Sequence, residues 1–192
     1  MSELLGIFSA FGLSTSAGLN AYIPLLVVSL LAKFTNLIEL QKPWDVLTDW
    51  WIIGLLGVLL VIEFFADKVP AINHVNDVIH TVVRPAAGAI VFAASANVIT
   101  EIHPVLSLSM GLLISGGVHA TKSLAVRPAV TATTAGAGNV VVSVVEDIIA
   151  AILSILAVIL PVLLACILVV LTAWVVMRIM RRRREQEEQE AY

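Results

Sequence analysis

Charge is what this sequence has least of. Of its 192 residues, 13% are charged and 59% are hydrophobic, whereas soluble domains carry roughly 25% and 45–50%. The mean hydropathy is +1.00. So few polar groups cannot cover the surface of a water-soluble fold. A soluble enzyme, a nucleic-acid binder and a disordered regulator are therefore excluded, and an integral membrane protein remains. Cysteine is almost absent too. Cys166 is the single one, so neither an intrachain disulfide nor a cysteine metal cluster is available. No HExxH-like spacing and no GxSxG occurs, and no metal and no cofactor is expected. The opening MSELLGIFSAFGL lacks a basic n-region and a convincing cleavage site, so it reads as a retained segment.

Apolar runs broken by Pro, Gly or charge divide the chain into about six membrane segments: 18–34, 50–66, 86–99, 105–121, 129–145 and 149–177. A shorter apolar piece, 4–13, precedes the first and is separated from it by GLSTSAG. Spanning helices need about 20 residues. The third segment falls short of that, and the fifth contains TATTAGAG, a poor helix former. The fold class expected is an all-α helical membrane bundle with short or interrupted helices. Residues 1–177 form one membrane domain, and 178–192 form a charged cytoplasmic tail.

Alternation through six segments puts both termini on one side. With the tail arginines inside, Lys68, Arg84, Lys122, Arg127, Arg178 and Arg181 to Arg184 all fall inside, leaving Lys33 and Lys42 outside. That distribution follows the positive-inside rule. A five-segment arrangement is an alternative. The tail RRRREQEEQEAY reads as a solvated helix end whose arginines hold anionic lipids of the inner leaflet.

One pattern repeats. VRPAAGAIVFAASANV at 83–98 and VRPAVTATTAGAGNV at 126–140 both run from Arg-Pro through small residues to Asn and Val. STSAGLN at 14–20, ending in Asn20, is a fainter echo. Proline suits the first turn of a helix, where its missing N–H is not needed. Each Arg-Pro therefore predicts a helix start, with Arg84 and Arg127 near the N-cap. Free N–H groups, the helix dipole and an arginine together make an anion site. Asn97 and Asn139 fall at matching places after the two arginines. The alternative is that both arginines snorkel to the headgroups and set helix depth.

Acidic residues form a second constellation. Glu63 and Asp67 lie four apart, on one helix face. Asp77 and His80 follow on an amphipathic stretch with Asn73 and Asn76. Carboxylates with a histidine can hold a cation or relay protons, and Glu63 sits among large apolar residues in IEFFAD. Ionisable groups within membrane segments are costly and often functional. The plainer reading pairs these carboxylates with Lys68, Arg84 or Lys122, and Lys122 is expected to meet Asp67 or Asp77. Glu146 and Asp147 read as an interfacial turn at the outer end of the fifth segment, or as a pore mouth.

The stretches SAGLNAYIPLL, EFFADKVPAINHVNDVIHTVVRPAAGA and HATKSLAVRPAVTATTAGAGNVVVSVVEDI resemble those of a bacterial inner-membrane family described only as a domain of unknown function. The resemblance covers roughly residues 10–165. It implies a small polytopic inner-membrane protein of bacterial origin, and it implies no activity and no site residue.

The residues themselves support a transporter or channel for a small charged solute rather than an enzyme. Arg84 and Arg127 would form a cytoplasmic-side anion site, with Asn97 and Asn139 nearby. Glu63, Asp67, Asp77, His80 and Lys122 would serve as charge partners or a proton relay. A protein that binds lipid headgroups or assists membrane assembly is the alternative. The partners expected are membrane lipids, the solute and further copies of the chain in a homo-oligomer, with no nucleic acid.

Overall fold

The computed structural model describes residues 2–67, 70–96 and 103–190. It is helical throughout, with no strand among the described residues. The helices are α1 (Ser2–Leu19), α2 (Tyr22–Phe34), α3 (Trp50–Ala66), α4 (Pro70–Ala96), α5 (Pro104–Thr121), α6 (Arg127–Thr134) and α7 (Gly138–Glu190). A 3-10 turn, Trp44–Thr48, precedes α3, and a π turn, Lys122–Val126, joins α5 to α6. Three stretches are long and apolar enough to cross a bilayer: Val78–Ser95, Pro104–Thr134 and Gly138–Pro161. Gly6–Leu19, Tyr22–Phe34 and Trp50–Ala66 are shorter apolar helices. The fold is thus an all-α membrane bundle of six apolar helical stretches, some short and some interrupted.

α1 forms the centre. Its Ala10, Leu13, Ser14, Ser16 and Ala17 are fully buried. GLSTSAG does not interrupt it. Small residues that break helices in water are what allow close helix approach within a bilayer, where apolar burial gives little drive. Ser14 Oγ donates to Gly88 O of α4 (2.9 Å) and Ser16 Oγ to Ala150 O of α7 (2.8 Å). Ser115 Oγ of α5 donates to Arg84 O of α4 (2.7 Å). α4 and α5 cross at Gly88 and Gly111, where a Cβ on Gly111 would collide with Gly88 O.

Asn20 ends α1 and starts α2. Its Oδ1 accepts from Tyr22 N and Ile23 N (both 3.0 Å), which supplies the acceptor that a helix start lacks. Leu25 and Val28 then join one core with Val91 and Ala94 of α4 and Val158 of α7, so α2 turns back beside α1. The far end of α2 meets the start of α3, where Phe34 stacks edge-on against Trp50.

Several boundaries differ from those read in the sequence. Residues 86–96 of the third segment are part of the 27-residue α4, and 97–99 lie outside the described residues. The fifth does not span: α6 stops at Thr134, where Ala135 (φ 51°) and Gly136 (φ 88°) take left-handed conformations that end a helix. From Gly138 a single helix runs on, so Glu146 and Asp147 lie within α7 and not at an outer turn. Arg84-Pro85 is likewise not a helix start but lies inside α4.

Those corrections relocate the charges. α1 and α7 are antiparallel: Asn20 bonds Asp147, Ser16 meets Ser154, and Gly12 lies against Ala157. Both termini therefore stand at one end of the bundle. The C-terminal ends of α1, α3 and α5 meet the early parts of α2, α4 and α7 at the other. Arg178 is 35 residues beyond Ser143 on one helix, about 50 Å at 1.5 Å per residue. Arg84 and Arg127 are thus not on the side of the tail arginines.

Candidate functional site

At the end remote from the termini, charges from five segments converge. Glu63, Asp67, His80, Arg84, His119, Lys122, Arg127 and Glu146 are all buried. α3 contributes Glu63 near its end and Asp67 as its cap residue. α4 contributes His80 and Arg84, one turn apart. α5, the π turn and the start of α6 contribute His119, Lys122 and Arg127, and α7 contributes Ser143 and Glu146.

Arg84 is the hub and is fully buried. Its Nη2 lies 2.8 Å from Glu63 Oε1 and 3.9 Å from Asp67 Oδ2. Its Nη1 lies 3.3 Å from His119 Nδ1. A guanidinium can only donate, so His119 Nδ1 accepts, and His119 Nε2 carries the proton that faces Thr81 Oγ1 at 3.4 Å. His80 Nε2 lies 3.4 Å from the same Glu63 Oε1.

Asp67 is the second hub. Arg127 Nη2 (3.2 Å) and Ser143 Oγ (2.9 Å) donate to its Oδ2, and Asn76 Nδ2 (2.7 Å) donates to its Oδ1. Burial opposes its charge, but Arg127, Lys122 and Arg84 outweigh burial and hold the carboxyl below its ordinary 3.8. Lys122 Nζ pairs with Glu146 Oε2 at 2.6 Å and donates to Leu19 O at 3.2 Å. Beside this pair, Asn20 Nδ2 donates to Asp147 Oδ1 at 2.9 Å.

The structure thus brings together Glu63, Asp67, His80, Arg84, Lys122 and Arg127. Lys122 meets Glu146 rather than Asp67. The anion site expected at two helix starts has a different construction. Arg84 is interior to α4, and Arg127 follows a π turn whose residue Val126 is already helical. Neither position presents a free row of N–H groups, and Glu63 and Asp67 already hold the two guanidinium groups. Asn139 stays apart, its Nδ2 donating to Thr131 Oγ1 at 2.8 Å. Asn97 lies outside the described residues, as does the side chain of Asp77.

Sequence reasoning gave no part in the network to Asn20, His119 or Ser143, and it placed Glu146 and Asp147 elsewhere. A signal was present for three of these. Ser143, Glu146 and Asp147 fall at helical spacing on one face once 138–161 is read as a single helix.

Three charge pairs, Glu63–Arg84, Asp67–Arg127 and Lys122–Glu146, leave the core of the site formally neutral. Neutrality keeps so many buried ions tolerable, because an unpaired one costs several kcal/mol. Satisfaction is incomplete, though. Glu63 Oε2, His80 Nδ1 and Arg84 Nε are buried without a hydrogen-bond partner. They amount to two acceptors and one donor, on three side chains already joined to one another. Among the described residues, no group of His, Cys, Asp and Glu is arranged to hold a metal ion.

Residues 7–182 match the model of a family described as Domain of unknown function (DUF4126), and the chain belongs to that family. No curated protein and no solved structure matches the chain.

Proposed function

We propose that this protein is a transporter or channel for a small anion, and that the buried charge network is where the anion's charge is met. The observation that carries the reading is the set of three unpartnered polar atoms on Glu63, His80 and Arg84, inside a neutral ion-pair network among apolar helices. Orphaned buried polar groups are uncommon and call for an explanation, and ionisable groups in membrane helices mark ion and proton pathways. A passing anion would take Arg84 or Arg127 from its carboxylate. The network would then hold one excess negative charge in a poorly solvated place. A proton taken up by Glu63, or by His80 beside it, would restore neutrality. The anion is therefore expected to move together with a proton.

The setting proposed is a bacterial inner membrane. Lys33, Lys42, Arg178 and Arg181 to Arg184 fall at the terminal end of the bundle. By the positive-inside rule that end is cytoplasmic, so the network faces the opposite side. The exposed apolar residues along α3, among them Trp51, Leu55, Val58 and Ile62, give a surface for lipid or for further copies of the chain.

The experiment is uptake of chloride, inorganic phosphate and acetate into proteoliposomes. The wild type should carry at least one of the three above the rate of empty vesicles. Arg84→Gln should lower that rate at least tenfold. An absence of uptake of all three, or an equal rate in the variant, overturns the anion reading.

A further inference from the structure

A cleft of about 430 Å³ opens on the flank of the bundle, between the end of α1, α5, the π turn and α7. Its walls are apolar: Leu19, Ile114, Val118 and Val126. Its polar end is the Lys122–Glu146 pair, with Thr121 beside it. The volume falls within the usual range for small-molecule sites.

We propose that this cleft holds a phospholipid of the surrounding bilayer, with one acyl chain against the apolar walls and the phosphate on Lys122. Three observations identify the occupant. The first is what the cleft opens onto. Leu113, Leu124, Val145 and Ile149, which flank the lining residues at helical spacing, are all exposed. The mouth is thus set in an apolar surface, and what reaches it is lipid.

Hydrogen bonding provides the second. Lys122 is buried, and an ammonium has three donors. Leu19 O accepts one of them, and Glu146 Oε2 lies 2.6 Å away as the ion-pair partner. The third suits an acceptor, and a phosphate oxygen is the acceptor that every phospholipid carries.

Depth provides the third. Lys122 lies 18 residues after Pro104 on a continuous helical stretch, about 27 Å along the axis. If the apolar stretch that begins at Pro104 enters a hydrocarbon core about 30 Å thick there, Lys122 would come at headgroup level on the other side. The π turn begins at Lys122 itself, and such turns occur often at functional sites.

The cleft shares Lys122 and Glu146 with the charge network but not the Glu63–Arg84 pair on which the transport reading rests, and lipid binding is read without any transport assay, so the two readings can fail independently. Purified protein in detergent is titrated with phosphatidylglycerol, or with diacylglycerol of the same chains, and bound lipid is counted by native mass spectrometry. The wild type should take phosphatidylglycerol with at least tenfold preference. Gly117 lines the cleft, and a Cβ there meets nothing within 4 Å, so the side chain of Gly117→Leu starts in open space and narrows the cleft. It should lower phosphatidylglycerol binding at least tenfold while melting as the wild type does. Lys122→Gln should reduce phosphatidylglycerol to the level of diacylglycerol. Equal binding of the two lipids by the wild type, or wild-type binding by Gly117→Leu, overturns the proposal.

Discussion

Arg84→Gln removes the charge that Glu63 faces at 2.8 Å. Both side chains are about 1% exposed, so water cannot take over the role of the lost guanidinium. Breaking such a pair costs about 3–5 kcal/mol, because it strands a buried charge, whereas exposed pairs are worth about 0–1 kcal/mol. The contact to His119 Nδ1 is weakened in the same variant. The expected loss is therefore about 3–5 kcal/mol, a large fraction of the roughly 5–15 kcal/mol by which ordinary domains are stable. Glu63→Gln with Arg84→Gln removes both charges and leaves two amides that can bond each other. This double variant should be less stable than the wild type by about 1–2 kcal/mol, a coupling energy of about 2 kcal/mol or more. Equilibrium unfolding in mixed micelles, followed by tryptophan fluorescence, measures all of these. A loss below about 1 kcal/mol in Arg84→Gln, or a double variant as damaged as the sum of the singles, would refute the reasoning that the pair is buried and coupled.

Three further outcomes are expected. Asp67 is held below its ordinary value of 3.8, so its ion pair adds stability above that value and loses it as pH falls through the depressed one. The melting-temperature gap between the wild type and Asp67→Asn should be full at neutral pH and shrink only on acidification below about 4, whereas a gap that is constant with pH contradicts the assignment. Gly111→Val places a side chain against Gly88 O at the α4–α5 crossing; overpacking of this kind costs about 1–3 kcal/mol, and a thermal melt unchanged from the wild type would show that the helices do not cross so closely. Ala135 is exposed and has φ 51°, a conformation that costs an alanine about 1–2 kcal/mol and a glycine little. Ala135→Gly should therefore raise the melting temperature, and a lower one would argue against the left-handed end of α6.

The grouping of the site was largely legible in the sequence. Glu63, Asp67, His80, Arg84, Lys122 and Arg127 stand out because charge inside apolar helices is costly without partners, so such residues must find one another. The helix ends were less legible, because their causes are non-local. Glu146 and Asp147 look like a turn when two adjacent carboxylates interrupt an apolar run. Lys122 and Asn20, more than 20 residues away in sequence, supply the partners that let α7 carry both through. Pro85 looks like a helix start, yet α4 continues through it, because packing in a bilayer keeps a helix intact across a missing N–H. The first of these misreadings had a further consequence. Inserting a turn at 146–148 placed Arg84 and Arg127 beside the tail arginines, and the continuous α7 places them at the opposite end.

Simultaneous recording of anion uptake and internal pH in proteoliposomes tests the central claim most directly. The account predicts one proton entering with each monovalent anion, and loss of that proton movement when Glu63→Gln is combined with His80→Gln. Anion uptake with no proton movement in the wild type, or proton coupling that survives in Glu63→Gln with His80→Gln, would contradict it.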